Sequence, residues 1–308
     1  MIKNLAVLAF CMGIALLSFA QNVPLATVPF DLRADNRIYL KCLVNASDTL
    51  IFMFDTGAET MVINKDVQGK KLAMSFNGEV DNIGTNGTSK VPLSAKNQLS
   101  FGGITANNVS FISVPYGESG FDGVLGSTFM SRYIIEINYK KRKMAFYDRS
   151  SYKYNNEEYE KLNIKFYKKI PLISASVIVN SKKYKGKYEM DTGSDGGLML
   201  SSPFTDKNDL THQLKTVAHA TAAGSDGTKI ISPIVVLPEI EVANKHFYVI
   251  PVTLSAAKSG IAADENLSGM LGNGFLKRFD MIIDMAGNKI YLKPNNLMHT
   301  PYYDFLVK

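Results

Sequence analysis

Cysteine is scarce in this chain: 308 residues carry two, Cys11 and Cys42, and Cys11 lies inside an apolar leading run. With Cys11 removed, Cys42 cannot close an internal disulfide, so packing alone must hold the fold together; in the strand-like stretch 40–44 its thiol reads as core. His212, His219, His246 and His299 show no metal-ligand spacing, so no metal is expected. Neither a phosphate-binding glycine loop nor a dinucleotide fingerprint is present, and no cofactor is expected. Past the leading run no apolar stretch is long enough to span a bilayer, so no integral membrane segment is expected after its removal. One-sided charge is also missing. The formal net charge is +6, or +5 without Lys3, and the densest basic run, 140–143, lies between two strand-like stretches. It reads as a solvated hairpin tip, and no nucleic-acid partner is expected.

What is there begins with a leader. Lys3 precedes a nearly continuous apolar run, 5–17, and Ser18-Phe19-Ala20 puts small residues where a signal peptidase reads them. Residues 1–20 therefore read as a signal peptide cleaved before Gln21, with the mature chain periplasmic or secreted. The remainder has the composition of a folded protein, 46% hydrophobic and 20% charged over the whole chain.

The chain also repeats itself. Phe54-Asp55-Thr56-Gly57-Ala58 and Met190-Asp191-Thr192-Gly193-Ser194 are displaced by 136 residues, and so are 111–115 and 247–251. Farther on, Gly123-Val124-Leu125-Gly126 answers Gly269-Met270-Leu271-Gly272 at a displacement of 146, with Phe129 matching Phe275, Arg132 matching Arg278 and Tyr133 matching Phe279. Ten extra residues therefore sit in the second copy between Pro251 and Gly269, where a loop tolerates insertion. Both copies are rich in apolar or alternating runs, notably 28–30, 38–44, 50–54, 169–179 and 184–190. Asn-Gly pairs at 77–78 and 86–87 predict tight hairpin turns, and short helices are expected only after Gly126 and Gly272. The expected organisation is a leader (1–20), a first lobe (21–150), a polar, tyrosine-rich connector (151–164) and a second lobe (165–308).

The duplicated Asp-Thr-Gly carries the chemistry. Two carboxylates within hydrogen-bonding reach cannot both ionise cheaply, so they share a proton and titrate as one unit. The ionised member can take a proton from water while the protonated member donates to a carbonyl oxygen. Each Asp follows an apolar strand that holds it rigidly. Thr56 and Thr192 can brace the turn through their hydroxyls, Gly57 and Gly193 let backbone approach a carboxylate, and small Ala58 and Ser194 leave room for the facing lobe. One Asp-Thr-Gly alone is better read as a plain β-turn; two, each with its own apolar-apolar-Gly element, are not.

In these motifs the chain resembles the retropepsin-like and pepsin-like aspartic peptidases, above all exported bacterial forms with two retropepsin-like repeats in one polypeptide. The resemblance spans roughly residues 28–292. It implies an all-β fold of two pseudo-symmetric barrel lobes with a cleft between them. It implies catalytic roles for Asp55 and Asp191, and it assigns the second signature to Leu125-Gly126 and Leu271-Gly272. The family closes a hairpin flap over its substrate, for which the candidates are Ile83, Gly84, Thr85 and Gly87 in the first copy and Ala223, Gly224 and Gly227 in the second. Neither loop has the tyrosine of the pepsin branch, which favours the retropepsin-like one.

The resulting expectation is an aspartic-type endopeptidase acting on peptides or unfolded protein, monomeric because one chain supplies both aspartates. A non-catalytic peptide- or polymer-binding protein on the same fold is the alternative, and a third reading pairs lobes between chains. Ser255-Ala256-Ala257-Lys258 fits a Ser-x-x-Lys pattern but lacks its partner motifs. Asn45, Asn86, Asn108 and Asn266 head glycosylation sequons that do not by themselves establish modification.

Overall fold

The computed structural model describes residues 22–302 except 86, 118, 155, 156, 224 and 226; the expected leader lies outside them. Alternating sequence becomes strands with one face inward. Ala26–Pro29 alternates buried and exposed, and Ile38–Val44 buries Leu40, Cys42 and Val44 while Lys41 and Leu43 face out. A side-chain period of two on a pleated strand requires this. Leu50–Phe54 is apolar throughout and runs through the interior, with Leu50, Phe52 and Phe54 fully buried.

Two eight-stranded sheets have the same strand order. The first runs Asp31–Leu32, Ile38–Val44, Leu50–Phe54, Gly123–Leu125, Met61–Asn64, Ile104–Val114, Thr88–Phe101, Gly78–Ile83. The second runs Lys165–Tyr167, Ile170–Val179, Lys182–Asp191, Gly269–Gly272, Leu198–Leu200, Lys245–Leu254, Lys229–Val242, Thr216–Ala223. An extra pairing of the second strand with the seventh recurs in both and curls each sheet on itself. The duplication seen in sequence is thus a duplication of topology, and the fold is mostly strand.

A third, six-stranded sheet joins the copies: Ala26–Pro29, Lys143–Tyr147, Ile134–Asn138, Phe279–Asp284, Lys289–Pro294, Glu160–Asn163. At its centre Ile135 faces Ile283 and Ile137 faces Met281, one strand from each copy. All four side chains are at most 1% exposed, so separating the halves would strip apolar surface worth about 1.5–3 kcal/mol per large side chain.

Local expectations divide. Residues 140–143 do turn between Ile134–Asn138 and Lys143–Tyr147, and the short helices Ser127–Met130 and Asn273–Leu276 follow Gly126 and Gly272. The Asn-Gly pair at 77–78 makes no hairpin turn: Gly78 already opens a strand paired to Leu93, and Asn77 donates to the Leu93 carbonyl. The connector is not wholly irregular, since Glu160–Asn163 adds a strand to the shared sheet. Among the described residues two further helices, Ser202–Lys207 and Leu210–Gln213, are found only in the second copy; Ser201 caps the first of them, its hydroxyl accepting from the Phe204 amide. Among the described residues no helix is long and apolar enough to cross a membrane.

Candidate active site

The strand Leu50–Phe54 pairs in parallel with Gly123–Leu125, and Lys182–Asp191 pairs in parallel with Gly269–Gly272. Each interior strand ends at an Asp-Thr-Gly turn, and the two turns abut. Thr56 and Thr192 are fully buried between them. The Thr56 hydroxyl donates to the Met190 carbonyl (2.6 Å) and accepts from the Thr192 amide (3.0 Å); the Thr192 hydroxyl donates to the Phe54 carbonyl (2.8 Å) and accepts from the Thr56 amide (3.0 Å). Each threonine therefore braces the opposite turn, where the sequence suggested its own.

The glycines act across the same boundary. A Cβ on Gly193 would lie 2.3 Å from the Asp55 carboxyl carbon, and one on Gly57 would lie 2.8 Å from that of Asp191. Only glycine lets these turns meet. Within each turn two amides hold one carboxylate oxygen: Gly57 and Ala58 donate to Asp55 Oδ1 at 2.8 and 2.9 Å, and Gly193 and Ser194 donate to Asp191 Oδ1 at 2.8 and 3.0 Å. The role of Ala58 and Ser194 is thus to offer backbone amides. Their carbonyls accept from Ser127 and Asn273, which anchors each turn on its own copy's second motif. There Leu125 and Leu271 are fully buried, and the Leu125 carbonyl accepts from the Asp55 amide. Gly126 and Gly272 leave room for the carbonyls of Thr60 and Gly196, which a Cβ would approach to 2.5 and 2.3 Å.

Asp55 and Asp191 thus face each other and share a side-chain hydrogen bond. Both are half-buried. Burial is the main force raising the Asp55 carboxyl above its usual range; the hydrogen bond from Asp191, the amides of Ala58 and Gly57, and Arg37 pull the other way. Burial also dominates at Asp191, and there Asp55 and Glu189 add to it, so Asp191 is held well above the ordinary range. The pair titrates as a unit, with both carboxyls held above the ordinary range.

Several residues around the pair had no motif to mark them. Arg37 donates through Nε to the Gly193 carbonyl (2.6 Å) and lies 3.6 Å from both Asp195 and Asp35; burial opposes its charge, but these anions together with Tyr39 and Asp191 hold it above its normal value. Asn36 locks this turn to the other copy: its amide side chain donates to the Asp195 carbonyl, and its own carbonyl accepts from Asn273. Tyr116 packs on Phe121, and burial chiefly, with both aspartates, raises its phenol. Glu189, 4% exposed, is a third carboxyl in the neighbourhood; burial, then Asp55, pushes it up to about 8. The repeat offered a signal for it, since the equivalent residue in the first copy is Met53.

The hairpins adjoin each other. Gly84 donates to the Gly87 carbonyl at the tip between Gly78–Ile83 and Thr88–Phe101, where Ile83 is half-exposed. Thr216–Ala223 and Lys229–Val242 form the second hairpin, whose Gly227 has φ +86°; Gly224 lies outside the described residues, and Ala223 is placed by backbone only. Asn82 of the first hairpin donates to Ser225 of the second (3.3 Å). The inserted loop bonds the first tip as well: Ile261 donates to the Gly84 carbonyl (3.3 Å) and Ala262 to that of Thr85 (3.0 Å).

Comparison with known proteins agrees with this fold. Residues 40–129 match the family model for aspartyl protease, which covers the first repeat. The solved aspartic proteinase from Irpex lacteus superposes with a TM-score of 0.60 at 14% identity, covering 89% of this chain and 98% of that one; at such identity the likeness establishes the fold. A search of curated proteins gave no match. The resemblance drawn from the Asp-Thr-Gly repeats therefore holds at the level of family model and fold.

Proposed function

We propose that this chain is an aspartic-type endopeptidase in which Asp55 and Asp191 activate a water molecule between them. The observation that carries the proposal is the shared hydrogen bond between two carboxyls delivered by equivalent turns of the two copies. In the resting state Asp55, favoured by Arg37, is the ionised member and Asp191 holds the proton. Water placed between them loses a proton to Asp55 as its oxygen attacks the scissile carbonyl. Asp191 donates to the carbonyl oxygen, giving a tetrahedral diol with no covalent enzyme intermediate. Collapse of the diol returns a proton to the leaving amine. Two turn amides on each Oδ1 fix the carboxyl planes, so little reorganisation is needed during reaction.

An extended peptide lying beneath the hairpins can bond to their backbone as an added strand, which suits unfolded protein as substrate. One chain supplies both aspartates, which supports a working monomer. The leader at 1–20 supports action outside the cytoplasm, checked by fractionating cells that express the full chain.

The test is binding of a statine-containing peptide, whose hydroxyl mimics the tetrahedral intermediate. One equivalent should inhibit cleavage of unfolded protein and raise the melting temperature, and chelators should leave the rate unchanged. Cleavage insensitive to saturating statine peptide rejects the proposal.

A further inference from the structure

Three adjacent strands carry a matching row of side chains in each copy, next to the aspartate. In the first copy Met53 pairs with Val124, which pairs with Val62; in the second Glu189 pairs with Met270, which pairs with Met199. The first row is wholly apolar and belongs to a cluster with Tyr39, Val91 and Phe121. In the second row one member is a carboxylic acid. Glu189 stands two residues before Asp191 and so projects from the same face of the strand. Its Oε1 reaches the opposite turn, 2.9 Å from where a Cβ on Gly57 would be. Its Oε2 is buried and has no hydrogen-bond partner among the described residues.

A buried acceptor left unpaired costs stability, so this oxygen calls for a partner. Glu189 lines a closed gap with Met199, Ser201, Ile261, Ala262, Leu267 and Met270 that is too tight to admit a water molecule. Ile261 and Ala262 are the two residues that hang from the first hairpin tip through their amides. The gap therefore adjoins the turn that hangs from the first hairpin, and it can admit a side chain only if that turn moves. Strand spacing puts it one side chain away from Asp191 along the floor.

We propose that Glu189 is a specificity-determining residue that accepts a lysine or arginine side chain from one of the two substrate residues flanking the scissile bond. This rests on the peptidase reading. Once the turn moves, Met199, Met270, Leu267 and Ile261 would cover the aliphatic stem of either side chain, and the cationic head would meet the Glu189 carboxylate. Burial, with the Asp55 charge, keeps the empty site's carboxyl neutral up to about pH 8. The arriving cation takes the place of that proton, so binding releases a proton and leaves no unpaired buried charge.

The test is the cleavage-site profile of a proteome-derived peptide library for the wild type, Glu189→Gln and Glu189→Met. The wild type should enrich Lys and Arg at one flanking position, and Glu189→Gln should reduce that enrichment by about 10- to 100-fold, the range expected for one charge-assisted hydrogen bond. Glu189→Met should replace it with an apolar preference. A statine peptide carrying Lys at that position should inhibit the wild type more strongly than its norleucine counterpart, and Glu189→Gln should erase the difference. A merely structural role would move rate or stability but not these ratios. Cleavage with no basic preference, or a preference unchanged in Glu189→Gln, overturns the assignment while leaving the peptidase intact; a wild type that cleaves nothing overturns both.

Discussion

The hydroxyls of Thr56 and Thr192 each accept the other's backbone amide at 3.0 Å, across the boundary between two copies of one fold. Each also donates to the carbonyl preceding the opposite aspartate, so four buried hydrogen bonds tie the two turns together. Thr192→Val keeps the shape and deletes the hydroxyl, orphaning the Thr56 amide and the Phe54 carbonyl. The expected loss is about 1–3 kcal/mol per orphaned group, together with a fall in turnover. Thr192→Ser should recover most of both, as measured by urea melts and initial rates.

Gly193 lies so close to Asp55 that a methyl group would overlap the carboxyl. Gly193→Ala should displace the aspartate and lower kcat on the order of 10²-fold, since a shift of about 1 Å at a reacting group is enough for that. Gly57→Ala should act likewise on Asp191. Serine or threonine at Ala58 provides the control, because that position contributes a backbone amide, and turnover there should change far less.

Glu189 makes stability depend on pH in a stated direction. Its folded value, about 8, stands above the ordinary 4.5. The folded state therefore binds the extra proton between these values, and the associated stability is complete below about pH 4 and lost as pH rises through 8. Glu189→Gln removes this dependence. Its melting temperature relative to wild type should climb between pH 5 and pH 9.

The hydrogen bonds from Ile261 and Ala262 to the first hairpin tip predict coupling between the inserted loop and residues 83–88. Ala262→Pro removes one donor at a position inside a 3-10 turn. Hydrogen exchange of the tip amides should then quicken, with the rest of Thr88–Phe101 unchanged.

The aspartates were legible because their signal is local and doubled: an apolar strand, a three-residue turn and a distant apolar-apolar-Gly. The six-stranded sheet was not, since nothing in 134–138 or 279–284 says which copy its partner comes from. Glu189 shares its strand face with Lys183, Lys185 and Lys187, all exposed, so alternation reads it as solvated. It is buried because Met199, Met270 and the inserted loop close over it, a cover that alternation along the strand does not report. Arg37 belongs to a turn without any motif, and reaches Gly193 only when the halves meet.

The most direct measurement is the rate at which Asp55→Asn and Asp191→Asn cleave an unfolded protein, with folding verified by melting. Each substitution leaves one ionisable carboxyl and no shared proton, so turnover should fall on the order of 10²–10⁴-fold in both. A folded variant of either kind that cuts at the wild-type rate would contradict the account.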